Sequence, residues 1–267
     1  MTTLLAAAVG LVAGLHAATW GMYKDAPHEG FSARKYLRSP LLGLGLGPVV
    51  QVLTGLDPQR PGELVVLFGV VYVVERALAE IYKTFLREES QEKYAIPMQL
   101  HVLGRVVRSR GARWLAGAVY AAGLLGMILA VAALGRAKPG PEPLAVVLLV
   151  GSAGGWISAF GGAWKDAPSE GFQTLKFFRS PALAALFAGG ISTLTPDLLL
   201  ITLAATGFTI AATETYKTFF FPSRPRGKFA GKPVRYPEML ARRRRFVPVY
   251  VAIWAGVLAA VIGATHG

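Results

Sequence analysis

The stretch KDAPHEGFSARKYLRSP, residues 24–40, recurs as KDAPSEGFQTLKFFRSP at residues 165–181. At this offset of 141, eleven of the seventeen positions are identical. Chance similarity between two apolar segments is common, but a match of charged and turn-forming residues over this length is not. Self-similarity at a fixed offset indicates a duplicated structural unit. The sequence therefore predicts two copies of one unit, at residues 1–138 and 139–267.

A second match lies near the end of the third apolar segment of each unit. Glu80 and Lys83 recur as Glu214 and Lys217 at an offset of 134, with Tyr, Thr and Phe matched around them. The difference in offset predicts a change of length in the loop at 55–63, because surface loops tolerate insertions. Both matches carry acidic and basic residues in register.

The composition is typical of a membrane protein. The 267 residues are 53% hydrophobic and 16% charged, with a mean hydropathy of +0.46, whereas soluble domains carry about 25% charged residues. The apolar runs approach the length of about 20 residues that a helix needs to cross hydrocarbon. We expect an all-α polytopic membrane helix bundle of about eight spans, four per unit. The spans are residues 3–23, 41–56, 63–84, 114–135, 143–164, 182–197, 198–221 and 246–264. Spans two and six are short and contain Gly or Pro, so full crossing is left open for them.

The distribution of charge predicts an orientation. The chain carries 28 basic and 15 acidic residues, and the eight-span layout places 24 of the 28 basic residues on one side. By the positive-inside rule this side is cytoplasmic. Both termini are then on the non-cytoplasmic side of an inner or plasma membrane. Nucleic acid is not an expected partner, because the basic residues flank apolar runs. Cysteine is absent, which excludes disulfides and thiol catalysis.

An even number of spans gives both units the same orientation, so we expect a pseudo-twofold axis along the membrane normal. Within the motif, Asp25 and Pro27 have the chemistry of a helix start, and the dipeptide 39–40 repeats that chemistry. The motif therefore predicts a short interfacial elbow helix at about 27–37, followed by a capped start of the second span. The same elbow is expected in the second unit.

The matched polar residues form the candidate site, because ionisable groups near hydrocarbon usually face a bundle interior or an aqueous cavity. The acidic cluster, for a cation or a proton, comprises Asp25, Glu29, Glu80, Asp166, Glu170 and Glu214. The basic cluster, for an anion or a lipid headgroup, comprises Lys24, Lys35, Arg38, Lys83, Lys165, Lys176, Arg179 and Lys217. Carboxylates beside bases suit a phosphate bridged by Mg²⁺. The candidate metal ligands are Asp25, Glu29, Asp166 and Glu170.

A structural interpretation of the same residues stays open. Belts of aromatic anchors and snorkelling bases are ordinary at membrane interfaces, and Glu80 with Lys83 is also an ordinary helical pair. One feature differs between the units, because Glu75 and Arg76 lie mid-span where the second unit has Thr and Ile. The spacing of Arg76 and Glu80 predicts an ion pair inside the membrane, or else a functional charge there.

Three classes of function remain. The leading hypothesis is an integral membrane transporter, flippase or channel that handles an anionic, phosphate-bearing solute or lipid headgroup at its cytoplasmic face. The second is a membrane-embedded, Mg²⁺-dependent enzyme of lipid metabolism, of the phosphotransferase type; the motif residues kept in both units argue mildly against it. The third is a structural or accessory subunit whose acids pair with neighbouring bases and line no cavity. Anionic membrane lipids are the expected partners, and a homo-oligomer is left open.

Overall fold

The chain folds as an all-helical bundle. The computed structural model describes residues 1–137, 140–222 and 227–266, except for the side chains of residues 168–170 and 227. The helices are α1 (Thr2–Glu29), α2 (Ala33–Thr54), α3 (Pro61–Ile81), α4 (Arg110–Arg136), α5 (Leu144–Gly151), α6 (Ala153–Glu170), α7 (Thr174–Ile191), α8 (Leu198–Phe219), α9 (Glu238–Arg242) and α10 (Val247–His266). A π-helical turn lies at Tyr82–Leu86, and 3₁₀-helical turns lie at Gly227–Phe229 and Arg243–Phe246. Two short strands, β1 (His101–Val102) and β2 (Arg105–Val106), form an antiparallel hairpin.

Five helical segments of the described chain are long and apolar enough to cross a membrane. They are Thr2–Glu29, Arg110–Arg136, Leu144–Ala167, Leu198–Phe219 and Glu238–His266. Helices are suited to hydrocarbon because they satisfy their backbone hydrogen bonds internally. The coarse prediction of an all-α membrane protein is therefore confirmed.

Local chemistry accounts for the starts of several helices, such as α8 and α3. The Asp197 carboxylate accepts a hydrogen bond from the Leu200 backbone N–H at 2.9 Å, so α8 begins at the predicted boundary of 198. Pro61 occupies the first turn of α3, where its missing N–H costs nothing. The α7 and α8 helices are therefore separate, joined by residues 192–197.

The chain turns sharply between α1 and α2 and at the matched place between α6 and α7. Gly30 and Gly171 stand at these turns with φ of 74° and 73°, a region that glycine enters without steric cost. The helices on either side continue up to the turn. The predicted elbow helix at 27–37, and its counterpart in the second unit, are therefore wrong.

Pro27 remains inside α1 because a distant residue satisfies the carbonyl that it leaves unbonded. A proline in a helix cannot donate to the carbonyl four residues earlier, which here is that of Tyr23. Arg243 Nη1 donates to the Tyr23 carbonyl oxygen at 3.4 Å. The sequence alone suggests that a new helix starts at Pro27, but α1 continues through Pro27 to Glu29.

The Ser–Pro pair of the motif also lies inside a helix. Ser39 packs on Gly14 of α1, where an added Cβ would overlap the Ser39 carbonyl. Gly155 of α6 makes the matched contact with Ser180 of α7. Close backbone approach at small residues is a usual mode of helix packing in membranes. This part of the motif therefore serves packing between neighbouring helices in both copies.

The matched third helices, α3 and α8, cross at the centre of the bundle, where the backbones of Gly69 and Gly207 touch. Helix α10 packs on α3, and α4 packs on α8. Around this crossing the core contains fully buried side chains, among them Leu67, Tyr72 and Ile201. The predicted unit boundary at residues 138–139 lies outside the described residues.

Candidate functional site

A cavity of about 1750 Å³ opens among α1, α3, α4, α6, α7 and α8. Most of the charged residues predicted from the motifs line it. These residues are Lys24, Asp25, Glu80, Lys83, Lys165, Asp166, Lys176, Arg179, Glu214 and Lys217. Both copies of both motifs therefore contribute to one cavity.

Three of the described candidates do not line the cavity. Glu29 and Lys35 pair with each other, with Lys35 Nζ donating to Glu29 Oε2 at 3.0 Å. Arg38 is exposed on the outer surface of α2. The side chain of Glu170 lies outside the described residues. Arg38 and Arg179, which match in sequence, therefore occupy different environments.

Lys24 and Lys165, the first residues of the two copies of the motif, each form a salt bridge with a residue of the other sequence copy. Lys24 Nζ lies 3.2 Å from Glu214 Oε2, and Lys165 Nζ lies 3.0 Å from Glu80 Oε2. Lys24 matches Lys165, and Glu80 matches Glu214. Each lysine thus binds the glutamate of the opposite copy, a reciprocal exchange that is typical of a twofold interface.

Each of these glutamates also binds the lysine of its own motif. Lys83 Nζ lies 3.0 Å from Glu80 Oε1, and Lys217 Nζ lies 3.1 Å from Glu214 Oε1. The predicted intrahelical pair therefore coexists with the cross-copy pair. One carboxylate among two ammonium groups leaves each cluster with excess positive charge.

The first copy of the motif is covered by a loop from the C-terminal third of the chain. Lys228 Nζ lies 2.8 Å from Asp25 Oδ2 and 3.1 Å from Glu29 Oε1. Burial lowers the pKa of Lys228, but the carboxylates of Asp25 and Glu29 outweigh it and raise the pKa above its ordinary value. The ammonium is therefore held charged between the two acids.

Further contacts fix this loop. The Phe229 ring stacks on His28 at a centroid distance of 4.5 Å. The backbone N–H groups of Arg235 and Tyr236 both donate to the Pro27 carbonyl at 3.0 Å. In the second copy of the motif, the matched aspartate pairs instead within its own copy, and Lys176 Nζ lies 2.6 Å from Asp166 Oδ2. The two copies therefore have similar sequences and different surroundings.

Guanidinium groups add to the positive wall of the cavity. Of the described lining side chains, ten are Lys or Arg and four are Asp or Glu. The Nε atoms of Arg179 and Arg243 are buried and, within the described part of the chain, have no hydrogen-bond partner. A cavity of one sign concentrates ligands of the other, and arginine is well suited to phosphate oxygens. The wall therefore favours an anion.

The candidate metal ligands are engaged with lysines. Lys228 stands between Asp25 and Glu29, and Lys176 binds Asp166. Among the residues that the structure describes, no three His, Asp or Glu side chains group closely enough to hold a metal ion. Magnesium at these carboxylates stays a prediction.

The remainder of the cavity wall is mostly apolar. The face of α4 on the cavity consists of Ala116, Val119, Tyr120, Leu124, Met127 and Ile128. The facing residues of α6 include Gly154, Ile157, Gly161 and Trp164. Spacings of three and four residues mark a single face of each helix. Two helix faces thus border the cavity beside the charged end.

Sequence reasoning missed a third match between the copies. Arg113 and Tyr120 of α4 match Arg243, in the turn before α10, and Tyr250 of α10 at an offset of 130. An arginine seven residues before a tyrosine, at the start of an apolar run, is the signal that could have revealed it. The matched tyrosines also pack on matched rings, because Tyr120 lies 5.6 Å from Phe85 and Tyr250 lies 4.4 Å from Phe219, measured between centroids.

Apart from these matched phenylalanines, the two tyrosines have different neighbours. Tyr250 stacks on His16 of α1 at a centroid distance of 4.3 Å. Tyr120 instead borders the cavity, as does Ile157, the residue that matches His16. The approach of α1 to α10 is therefore filled by stacked rings, whereas the matched space between α6 and α4 is open.

The predicted ion pair between Arg76 and Glu80 does not form. Arg76 Nη2 donates to Glu75 Oε1 at 2.7 Å and to Ser39 Oγ at 3.4 Å. The adjacent carboxylate reaches two nitrogens of the planar guanidinium, which is a strong geometry, and Glu80 binds lysines instead. The mid-span charge is thus a neutralised pair at the edge of the cavity.

Comparisons with protein-family models, with curated proteins and with solved structures find no match. The cavity and the residues that form it are therefore the features from which a function can be inferred.

Proposed function

We propose that this protein is a membrane transporter, flippase or channel that handles an anionic, phosphate-bearing solute or lipid headgroup. The observation that carries the proposal is that, among the described residues that line one cavity, bases from both sequence copies outnumber acids. Arg179 provides a buried guanidinium Nε without a hydrogen-bond partner among the described residues. Such a group gains most from a ligand that brings hydrogen-bond acceptors and negative charge.

The proposed architecture is eight spans arranged as two parallel four-helix repeats about a pseudo-twofold axis. The reciprocal bridges of Lys24 with Glu214 and Lys165 with Glu80 support it. The packing of α10 on α3 and of α4 on α8 supports it as well, because the last helix of each repeat lies on the third helix of the other. In this arrangement the charged end of the cavity faces the cytoplasm, and both termini lie on the opposite side.

The alternatives receive less support. The accessory-subunit hypothesis predicts acids that pair with neighbouring bases and line no cavity. The pairing is present, but Asp25, Glu80, Asp166 and Glu214 all border the cavity. The phosphotransferase hypothesis needs carboxylates free to bind Mg²⁺, and lysines engage Asp25, Glu29 and Asp166. Transport of an anion uses the bases that exceed the acids in the cavity wall, among them Arg179, whose buried Nε has no hydrogen-bond partner among the described residues.

The proposal is tested by reconstituting the protein in liposomes and measuring two activities. One is the flux of radiolabelled inorganic phosphate, and the other is the transbilayer movement of fluorescent phosphatidylglycerol. Arg179→Gln removes a cavity guanidinium, whereas Arg38→Gln makes the same change at the matched position outside the cavity. The matched pair separates loss of ligand binding from loss of surface charge.

We expect wild-type protein to accelerate at least one of the two activities over empty liposomes. Arg179→Gln should slow that activity about tenfold, which corresponds to the loss of one charged hydrogen bond, and Arg38→Gln should leave it near the wild-type rate. Wild-type liposomes that match empty ones in both assays would contradict the proposal, as would equal effects of the two substitutions.

A further inference from the structure

The facing sides of α4 and α6 form an apolar slot that leads away from the charged end of the cavity. On α4 the slot runs from Ala116 to Ile128, about 18 Å at the rise of a helix. This is close to the thickness of one leaflet, half of about 30 Å of hydrocarbon. On α6 it passes Gly161, where an added Cβ would meet nothing within 4 Å among the described atoms. The slot is therefore long, and it is open at Gly161.

The matched space, between α1 and α10, is occupied by aromatic side chains. Tyr250 stacks on His16 between α10 and α1, and Trp254 meets the same His16 ring edge-on at 5.3 Å. The first copy has Trp20 where the second has Gly161. In the second copy, Ile157 and Gly161 thus stand where the first copy has the rings of His16 and Trp20. Both of these smaller residues line the cavity.

The slot joins groups of opposite character in one cavity. At one end stand Lys165, Lys176 and Arg179, and along its length stand aliphatic side chains such as Leu124 and Ile128. A soluble phosphate compound would satisfy the bases and leave the apolar wall without a partner. An anionic phospholipid satisfies both, because its phosphate and its acyl chain are adjacent in the same way.

We infer that the slot between α4 and α6 holds an acyl chain of an anionic phospholipid whose phosphate is bound at the basic end. The inference rests on the proposed function and narrows its ligand to a lipid. The lipid reaches the cavity laterally from the leaflet, since α4 and the segment Leu144–Ala167, which contains most of α6, are both long and apolar enough to lie in the membrane. The soluble headgroup alone then binds only through the basic end.

A bulky substitution in the slot tests the inference. Gly161→Phe places a ring in the slot at the position where the first copy carries Trp20. Gly21→Phe is the matched control, because an added Cβ there also meets nothing within 4 Å among the described atoms and the residue lies outside the cavity wall. Both variants are expected to fold. Retention of dioleoyl phosphatidylglycerol is measured by native mass spectrometry of the purified full chain, and affinity for glycerol phosphate by calorimetry.

We expect Gly161→Phe to weaken phosphatidylglycerol binding about tenfold and to leave glycerol phosphate binding unchanged, with Gly21→Phe affecting neither. Equal lipid binding by Gly161→Phe and wild type would overturn the inference, and so would a wild-type protein that binds glycerol phosphate but not the lipid. In both cases the proposed function would stand. Wild-type protein that binds neither probe would overturn the proposed function itself.

Discussion

Lys165 Nζ lies 3.0 Å from Glu80 Oε2, and the matched residues make the same bridge in the opposite direction, with Lys24 Nζ 3.2 Å from Glu214 Oε2. The residues of each bridge are far apart in sequence, so these contacts depend on the docking of one half of the chain on the other. Because both bridges border the cavity, a change that separates the halves would also alter the proposed binding site.

The cross-copy bridges should stabilise the fold more than surface bridges do. A double-mutant cycle with Lys24→Gln and Glu214→Gln should give a coupling of about 1 kcal/mol in the free energy of unfolding, because both side chains are largely buried. The control is the cycle with Lys35→Gln and Glu29→Gln, in which the Lys35 side chain is 58% exposed. Exposed pairs typically contribute between 0 and about 1 kcal/mol. Unfolding in denaturing detergent measures both cycles, and a larger coupling at the control pair would contradict the expectation.

Close packing of α1 on α2 should make two nearby glycines respond differently to the same substitution. At Gly43 an added Cβ would overlap the Gly10 carbonyl, whereas at Gly45 it meets nothing within 4 Å among the described atoms. Gly43→Ala should therefore destabilise the protein by about 1–3 kcal/mol, and Gly45→Ala should be neutral or slightly stabilising. Thermal unfolding in detergent gives the melting temperatures of the two variants, and that of Gly43→Ala should be the lower. Similar melting temperatures for the two would refute the α1–α2 contact.

The loop that covers the first motif should depend on Lys228. Lys228→Gln removes the ammonium from between Asp25 and Glu29, so amide exchange at Tyr236 should increase at neutral pH. Lys232→Gln is the control, because Lys232 donates only an exposed hydrogen bond to a backbone carbonyl in the described part of the chain. Hydrogen exchange followed by mass spectrometry measures both. Unchanged protection at Tyr236 in Lys228→Gln would show that the loop is held by other contacts.

The same ammonium predicts a pH dependence with a definite sign. The folded-state pKa of Lys228 is raised above 10.5, so its stabilising effect is fully present below 10.5 and is lost as the pH rises through the folded pKa. The difference in melting temperature between wild type and Lys228→Gln should be constant from neutral pH to 10.5 and should shrink above it. A difference that grew above 10.5 would contradict the assigned contacts.

Much of the fold was predictable because the repeat carries polar residues. The match of residues 24–40 with 165–181 correctly indicated that the two copies fold alike there, since Gly30 and Gly171 stand at matched turns, although a helix was predicted across both positions. The polar segment that ends at Asp197 correctly marked the start of α8. Local chemistry determines such a cap, so the sequence alone is enough to find it.

Contacts between distant residues were not predictable in the same way. The elbow helix was predicted from Pro27, and the structure instead satisfies the freed Tyr23 carbonyl with Arg243 from the far end of the chain. Lys83 and Arg76 were the partners considered for Glu80, whereas the fold brings Lys165 to it in addition to Lys83. Lys228 belongs to neither matched motif. Each of these contacts follows from how the helices dock, which a repeat in the sequence does not specify.

We propose that the cavity binds a phosphate-bearing anion through its basic wall. The most direct measurement is calorimetric titration of the purified full chain with glycerol phosphate, for wild type, Arg179→Gln and Arg38→Gln. We expect saturable binding to wild type, a loss of about tenfold in affinity for Arg179→Gln, and wild-type affinity for Arg38→Gln. Absence of saturable binding to wild type, or equal losses in the two variants, would contradict it.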